Sequence, residues 1–170
     1  MAVREYTLGG GLIMALEEAL REELLNFLSK SGAHVDYGKA LKGFPLDAAG
    51  KRPKSVPYSA WQLLEHIRIA QADILEFVSK KNYKEKSWPA DYWPKSPAPP
   101  SEDAWDKSVS AFQKDRKKLI ALLKVGSPLE PIAFADNKTL MREILLLVDH
   151  TAYHLGELVL LRRILGNWVA

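Results

Sequence analysis

The chain of 170 residues contains no cysteine. Disulfide bonds, cysteine-ligated zinc sites and a cysteine nucleophile are therefore excluded. It also lacks segments that alternate apolar and polar residues, and it has no internal repeat. Because alternation is the pattern typical of half-buried strands, its absence favours an all-α fold.

Long apolar runs are also missing. The longest of them, such as residues 144–148, fall far short of the roughly 20 residues that cross a bilayer. Near the N-terminus, the apolar stretch 12–16 is followed at once by Glu17 and Glu18, unlike a signal peptide. These observations predict a cytoplasmic protein that does not enter a membrane.

The charge balance is close to even, with 24 Lys and Arg against 21 Asp and Glu. The densest basic cluster spans residues 114–118. On an amphipathic helix such a run is usually the solvated face, whereas a nucleic-acid binder concentrates its charge. We therefore predict no nucleic-acid partner.

Four long segments have helical periodicity: residues 11–30, 59–81, 101–126 and 139–165. Ser59 and Gln62 form a capping box at the second, and Gly166 ends the fourth. The long link 33–58 is predicted to be a crossover that lets the second helix run parallel to the first. We predict one domain, 1–170, an all-α four-helix bundle with a long crossover connection. The first helix is expected to bury a stripe of Ile13, Leu16, Leu20, Leu24 and Phe27.

Residues 88–100 contain five prolines together with Trp88, Tyr92 and Trp93, so the segment cannot be helical. We interpret it as an aromatic strap packed over the bundle. The alternative is a lid or wall of a pocket.

Three histidines carry the strongest chemical signal. His150 and His154 lie four residues apart on the fourth helix and therefore share one face, bounded by Leu147 and Leu161. His66 lies on the apolar face of the second helix. Three imidazoles aimed at one interior suit a single divalent metal ion, and three His ligands with an open fourth position are a catalytic zinc arrangement. The alternative is that each is a hydrogen-bonded core residue.

Two familiar metal sites do not match these residues. A zinc peptidase helix carries a Glu directly after its first His, but this chain has Thr151 there. Di-iron bundles need an acidic residue three before each histidine, and no histidine here has one. A mononuclear site remains. His34, in the link, is predicted to be a loop residue.

Glu157 follows His154 by three residues, about 60° around the helix. It is a candidate fourth metal ligand, a partner that orients an imidazole, or a catalytic base. The alternative is a surface residue paired with Arg162 or Arg163. Angular position alone does not separate these roles.

Two motifs, 61–66 (WQLLEH) and 149–158 (DHTAYHLGEL), resemble the DinB-like (YfiT-like) superfamily of metal-dependent proteins. The resemblance spans most of the chain and implies a four-helix bundle whose zinc or nickel ion is held by His66, His150 and His154. It also implies homodimers in many members.

Similar proteins include thiol-dependent transferases and a mycothiol-dependent isomerase, in which the metal activates a low-molecular-weight thiol. The resemblance therefore implies a metal-dependent hydrolase or thiol transferase acting on a small molecule. Many of these relatives have Gln where this chain has Glu157. A non-catalytic bundle that binds metal or a small molecule is the alternative.

Overall fold

The computed structural model describes residues 9–30, 32–135 and 137–168, and within these ranges it is helical without a strand. Its long helices confirm the predicted all-α bundle. The helices are α1 (Gly10–Ser29), α2 (Tyr37–Leu41), α3 (Leu46–Ala49), α4 (Ala60–Ser79), α5 (Ala104–Val125) and α6 (Leu140–Ile164). The short α2 and α3 lie in the first link, where α2 packs against α6 and α3 against α4.

The crossover connection lies elsewhere than predicted. The side-chain amide of Gln71 on α4 donates to the carbonyl oxygen of Phe112 on α5. Later residues of both helices, such as Leu75 and Val125, line the same cleft beyond this contact. The two helices therefore run in the same direction. The chain returns between their ends through residues 80–103. By contrast, α1 is antiparallel to both. Arg21, in the middle of α1, donates to the Leu123 carbonyl at the end of α5, whereas Leu28, at the end of α1, accepts from Arg116 farther back in α5. Periodicity locates helices but does not report their direction, so the prediction of parallel first and second helices was wrong.

Two apolar clusters stabilise the bundle at opposite ends. One joins the starts of α4 and α5, the end of α6, and α2 and α3. The other joins the second halves of α1, α4 and α5 to the start of α6. Buried polar side chains, including His66, Gln71, Arg116 and Thr151, lie between them. The bundle therefore places these buried polar side chains at mid-height, halfway between its two ends.

The predicted stripe of α1 is only partly buried. Leu24 is buried as predicted, but Ile13, Leu16 and Phe27 are exposed and Leu20 is half-buried. Arg21 contacts the carbonyls of the last turn of α5, so the residues before it extend beyond the end of that helix. Ile13 and Leu16 lie in this part of α1, which explains their exposure. Phe27 follows Arg21, and its exposure has no such explanation.

The helix ends follow local side-chain chemistry. Ser59 and Gln62 form the predicted capping box of α4, and Thr139 caps α6 by accepting from the Arg142 amide. Gly166 has φ +71°, the left-handed conformation that ends a helix readily. The segment 101–126 was predicted to be helical from its first residue, but α5 begins at Ala104. The Ser101 hydroxyl donates to the Asp103 carboxylate and does not cap the helix.

By length and composition alone, α6 is apolar enough to cross a membrane, with a mean hydropathy of 1.4 over its most apolar window. Buried helices at the centre of soluble bundles pass the same test, and 44% of that window is buried here. α6 makes its most extensive contacts with α4. The structure is thus compatible with a soluble protein.

Candidate metal centre

Three histidines from two helices meet at mid-height of the bundle. His66 projects from α4 toward His150 and His154 of α6, and one ring nitrogen from each of the three lies within 4.8 Å of the others. The ring centroids are separated by 4.5 to 4.8 Å. His66 and His154 are buried and His150 is half-buried. Helix spacing on α6 and the packing of α4 against α6 therefore bring the three imidazoles together.

Two of these rings are oriented by partners on their outer nitrogens. His66 Nδ1 lies 2.9 Å from the Tyr92 carbonyl oxygen, so it carries the hydrogen and donates. His154 Nδ1 lies 2.7 Å from Oε2 of Glu157 and donates in the same way. Each bond leaves the opposite ring nitrogen, Nε2, without a hydrogen and therefore with a lone pair that can bind a metal ion. This pattern, with one nitrogen held by a carbonyl or carboxylate, is typical of histidines that bind metals.

His150 completes the group. Its Nε2 lies 2.9 Å from Nε2 of His66, and its Nδ1 is buried without a hydrogen-bond partner among the described residues. Burial lowers the pKa of His66, and it lowers that of His150 to about 4, with the neighbouring histidines adding to the effect. His150 is therefore neutral at pH 7, the state in which imidazole binds a metal. The donor set fits a divalent ion.

The segment between α4 and α5 covers this site. It combines the two roles considered from the sequence, because it packs over the bundle as a strap and also forms a wall of the cleft beside the histidines. The Trp93 indole stacks on the His66 ring at 3.8 Å and an interplanar angle of 7°, and on the ring of Tyr58 at 3.9 Å. The strap is tied to the start of α4, because Gln62 Nε2 donates to the Pro94 carbonyl at 3.2 Å and Ser59 donates to that of Pro97. The indole thus excludes water from one face of His66.

A cleft of about 670 Å³ runs from His150 along α4 and the start of α6. Near its base, the Asp73 carboxylate accepts from the Tyr92 hydroxyl at 2.6 Å and from the Tyr83 hydroxyl at 3.1 Å. Burial and this carboxylate raise the pKa of Tyr92, and they raise that of Tyr83 to about 12, so both phenols stay protonated donors. The remaining walls combine apolar side chains with both signs of charge: Phe77, Ile74, Leu146, Trp88, Glu85, Glu143, Lys138 and Arg142.

The other residues singled out from the sequence lie as follows. Glu157 contacts His154, and neither Arg162 nor Arg163 reaches it; Arg162 is buried and donates to the carbonyls of Ala40 and Asn167. His34 lies exposed in the link after α1, away from the cluster.

Three contributors were missed by the sequence reasoning. The Tyr92 carbonyl is a main-chain group and has no sequence signal. Trp93 was assigned to the strap but not to a particular histidine. Asp73 had a detectable signal, because it lies seven residues after His66 and so on the same face of α4.

A comparison with family models matches residues 31–158 to one described as the DinB superfamily. The matched range contains all three histidines and the strap. No curated protein and no solved structure shows a significant match.

Proposed function

Because the chain belongs to the DinB superfamily, we propose that it is a metal-dependent enzyme whose His66, His150 and His154 hold one divalent ion, zinc or nickel. The observation that carries this proposal is the outward hydrogen bonding of His66 and His154 through Nδ1, which leaves the Nε2 of each ring unprotonated in a cluster that also contains His150. Three protein ligands leave the fourth coordination position of the ion open for a substrate.

The reaction proposed is hydrolysis or thiol transfer on a small molecule. A divalent ion in such a site acts as a Lewis acid that lowers the pKa of water or of a thiol, and so supplies a nucleophile near neutral pH. The protein residues position the participants: Trp93 shields His66 from water, Glu157 orients His154, and the cleft beside His150 accepts the substrate. Its volume of about 670 Å³ lies within the range typical of small-molecule sites.

An activity screen tests this proposal. Purified protein would be supplied with zinc or nickel and assayed with low-molecular-weight thiol cosubstrates and with ester and amide probes. We expect turnover that is abolished by a chelator and by His66→Ala, while His34→Ala, which changes an exposed histidine outside the cluster, keeps it. Turnover that survives in His66→Ala would contradict the proposed site. Metal binding without turnover of any probe would instead favour the non-catalytic binding bundle.

For Glu157 we propose the role of orienting His154. In Glu157→Gln, an amide oxygen can still accept from Nδ1, but the negative charge that makes the imidazole a stronger ligand is lost. We expect metal to remain bound with an affinity reduced by about 10- to 100-fold, the size typical of such outer partners. Competition with a chromophoric chelator measures the change.

The matched control for this variant is Glu130→Gln. It removes the same charge from an exposed glutamate far along the chain. Equal affinities of the Glu157 variant and wild type would place Glu157 outside the metal site.

Assembly is a further proposal. α6 exposes Leu145, Leu146, Tyr153, Leu160 and Ile164 along one side, and apolar patches of this kind often lie in interfaces between subunits. We propose a homodimer, and sedimentation equilibrium of the full chain measures its mass.

A further inference from the structure

A second cavity, of about 270 Å³, lies against the face of α6 that is turned away from the histidines. The end of α1, the start of the first link, α5 and α6 enclose it. None of the three histidines of the metal centre lines it, and Leu155 is offset by roughly 100° or more around the helix from both His150 and His154, so the cavity is separate from the metal centre. Two of the residues that line it, Arg116 and Thr151, carry polar groups that lack part of the hydrogen bonding open to them within the described residues.

Arg116 is a buried cation that forms no ion pair with a carboxylate of the described residues. It is 5% exposed, its Nε donates to the Leu28 carbonyl at 2.8 Å, and its guanidinium lies 4.9 Å from the centroid of the Tyr37 ring. One amino group contacts Gln71 at 3.4 Å, and in the described part of the chain the other has neither a hydrogen bond nor an ion pair. Burial accordingly lowers the pKa of this guanidinium. An uncompensated charge in the interior is costly, so a bound anion would stabilise it.

Thr151 is the second unsatisfied group. It is also 5% exposed, and its Oγ1 has no hydrogen-bond partner among the described residues. A buried hydroxyl without a partner is unfavourable, because it has lost its hydrogen bonds to water without replacing them. A ligand oxygen in the cavity could accept from this hydroxyl and from the guanidinium together.

The charged side chains at the mouth of the cavity do not oppose the binding of an anion. Lys30, His34, Asp36 and Asp149 are all exposed, so solvent and salt screen them. Asp36 is also engaged, since its carboxylate accepts from the Lys39 amide at 2.8 Å. The sign of the ligand is therefore decided by the buried Arg116.

We propose that this cavity binds a small oxyanion, a carboxylate or a phosphate, with the Arg116 guanidinium and the Thr151 hydroxyl as its donors. Charge-assisted hydrogen bonds from a guanidinium to such groups are among the strongest in proteins. The site does not depend on the proposed metal chemistry.

Nuclear magnetic resonance titration tests this proposal on the full, metal-free chain at constant ionic strength. Acetate and inorganic phosphate are added in separate series, with chloride as the balancing ion, so that the two arms distinguish the carboxylate from the phosphate. We expect a saturable shift of the Arg116 Nε–H signal and of the Gly32 and Ala33 amides with at least one of the two anions.

Three variants localise the effect. Thr151→Val keeps the shape and removes only an unpaired hydroxyl, so it should fold and bind about 3- to 10-fold more weakly, the size of one hydrogen bond. Arg116→Gln should weaken binding by more than about 10-fold, because it removes the charged donor. Lys114→Gln removes an exposed charge from the same helix and should bind like wild type.

Three results would overturn the proposal. One is the absence of saturation with either anion, and another is shifts confined to the residues around His66. The third is equal affinity in wild type and Thr151→Val, which decides the matter even if Arg116→Gln does not fold.

Discussion

Replacing His150 with alanine should reduce the metal content of the chain from about one zinc or nickel ion per molecule to a small fraction of that. The variant leaves two imidazoles on two different helices, and the Nε2 of His66 loses the neighbouring Nε2 of His150 at 2.9 Å. Loss of a direct ligand should exceed the roughly 10- to 100-fold effect of losing an outer partner. Elemental analysis of tag-free protein, loaded with one equivalent of metal and freed of excess ion by gel filtration, measures the content.

The fourth histidine supplies the control for that experiment. His34→Ala removes an imidazole that lies exposed in the link and outside the cluster, so its metal content should match that of wild type. A wild-type chain that takes up neither zinc nor nickel would end the metal hypothesis, as would equal loading of the His150 and His34 variants.

Truncation of Leu147 to alanine should lower the free energy of unfolding by about 2 to 5 kcal/mol, as is usual for a fully buried leucine. Leu147 is completely buried in the apolar cluster that joins α1, α4, α5 and the start of α6. Leu161, 1% exposed in the other cluster, should show a loss in the same range. Urea unfolding followed by circular dichroism measures both, in chelator, because bound metal would stabilise the folded state.

Exposed leucines outside α6 are the controls. Leu12 of α1 and Leu46 of α3 are 58% and 44% exposed and do not belong to the apolar side of α6 proposed as the dimer interface. Their replacement by alanine should change the free energy of unfolding by no more than about 0.5 kcal/mol. If Leu147→Ala and Leu12→Ala had equal effects, the assignment of the inner face of α6 would be wrong. The inward direction of the histidines, which share that face, would then be lost as well.

Local features of the fold were predictable because their causes are local. The capping box at Ser59 and the stop at Gly166 depend on side chains within a few residues, and both are present. The shared face of His150 and His154 follows from helix geometry in the same way. The direction of the helices was not predictable, since the contact between Gln71 and Phe112 joins residues 41 positions apart.

The burial of α1 shows a second limit. Its apolar periodicity is real, but periodicity does not reveal whether another helix lies opposite. Ile13 and Leu16 are exposed because α5 ends beside Arg21. The candidate site was limited likewise. The three histidines could be named, and Glu157 could be named as a candidate partner of His154 because it lies close by on the same helix. The partners of His66 are a carbonyl in a distant strap and the Trp93 ring, and neither has a periodic signature.

The bond between His66 and the strap has a consequence for how such proteins diverge. The acceptor is the Tyr92 carbonyl oxygen, which every amino acid possesses, so exchange of the side chain at position 92 leaves this acceptor in place. Side chains of the strap that line the cleft, such as Trp88, are therefore free to change over evolutionary time without disturbing the imidazole. Insertions or deletions between Tyr92 and Pro94, whose carbonyl is bonded to Gln62 of α4, would instead move the Tyr92 carbonyl away from His66. Natural variation in this segment should consist of substitutions at constant length.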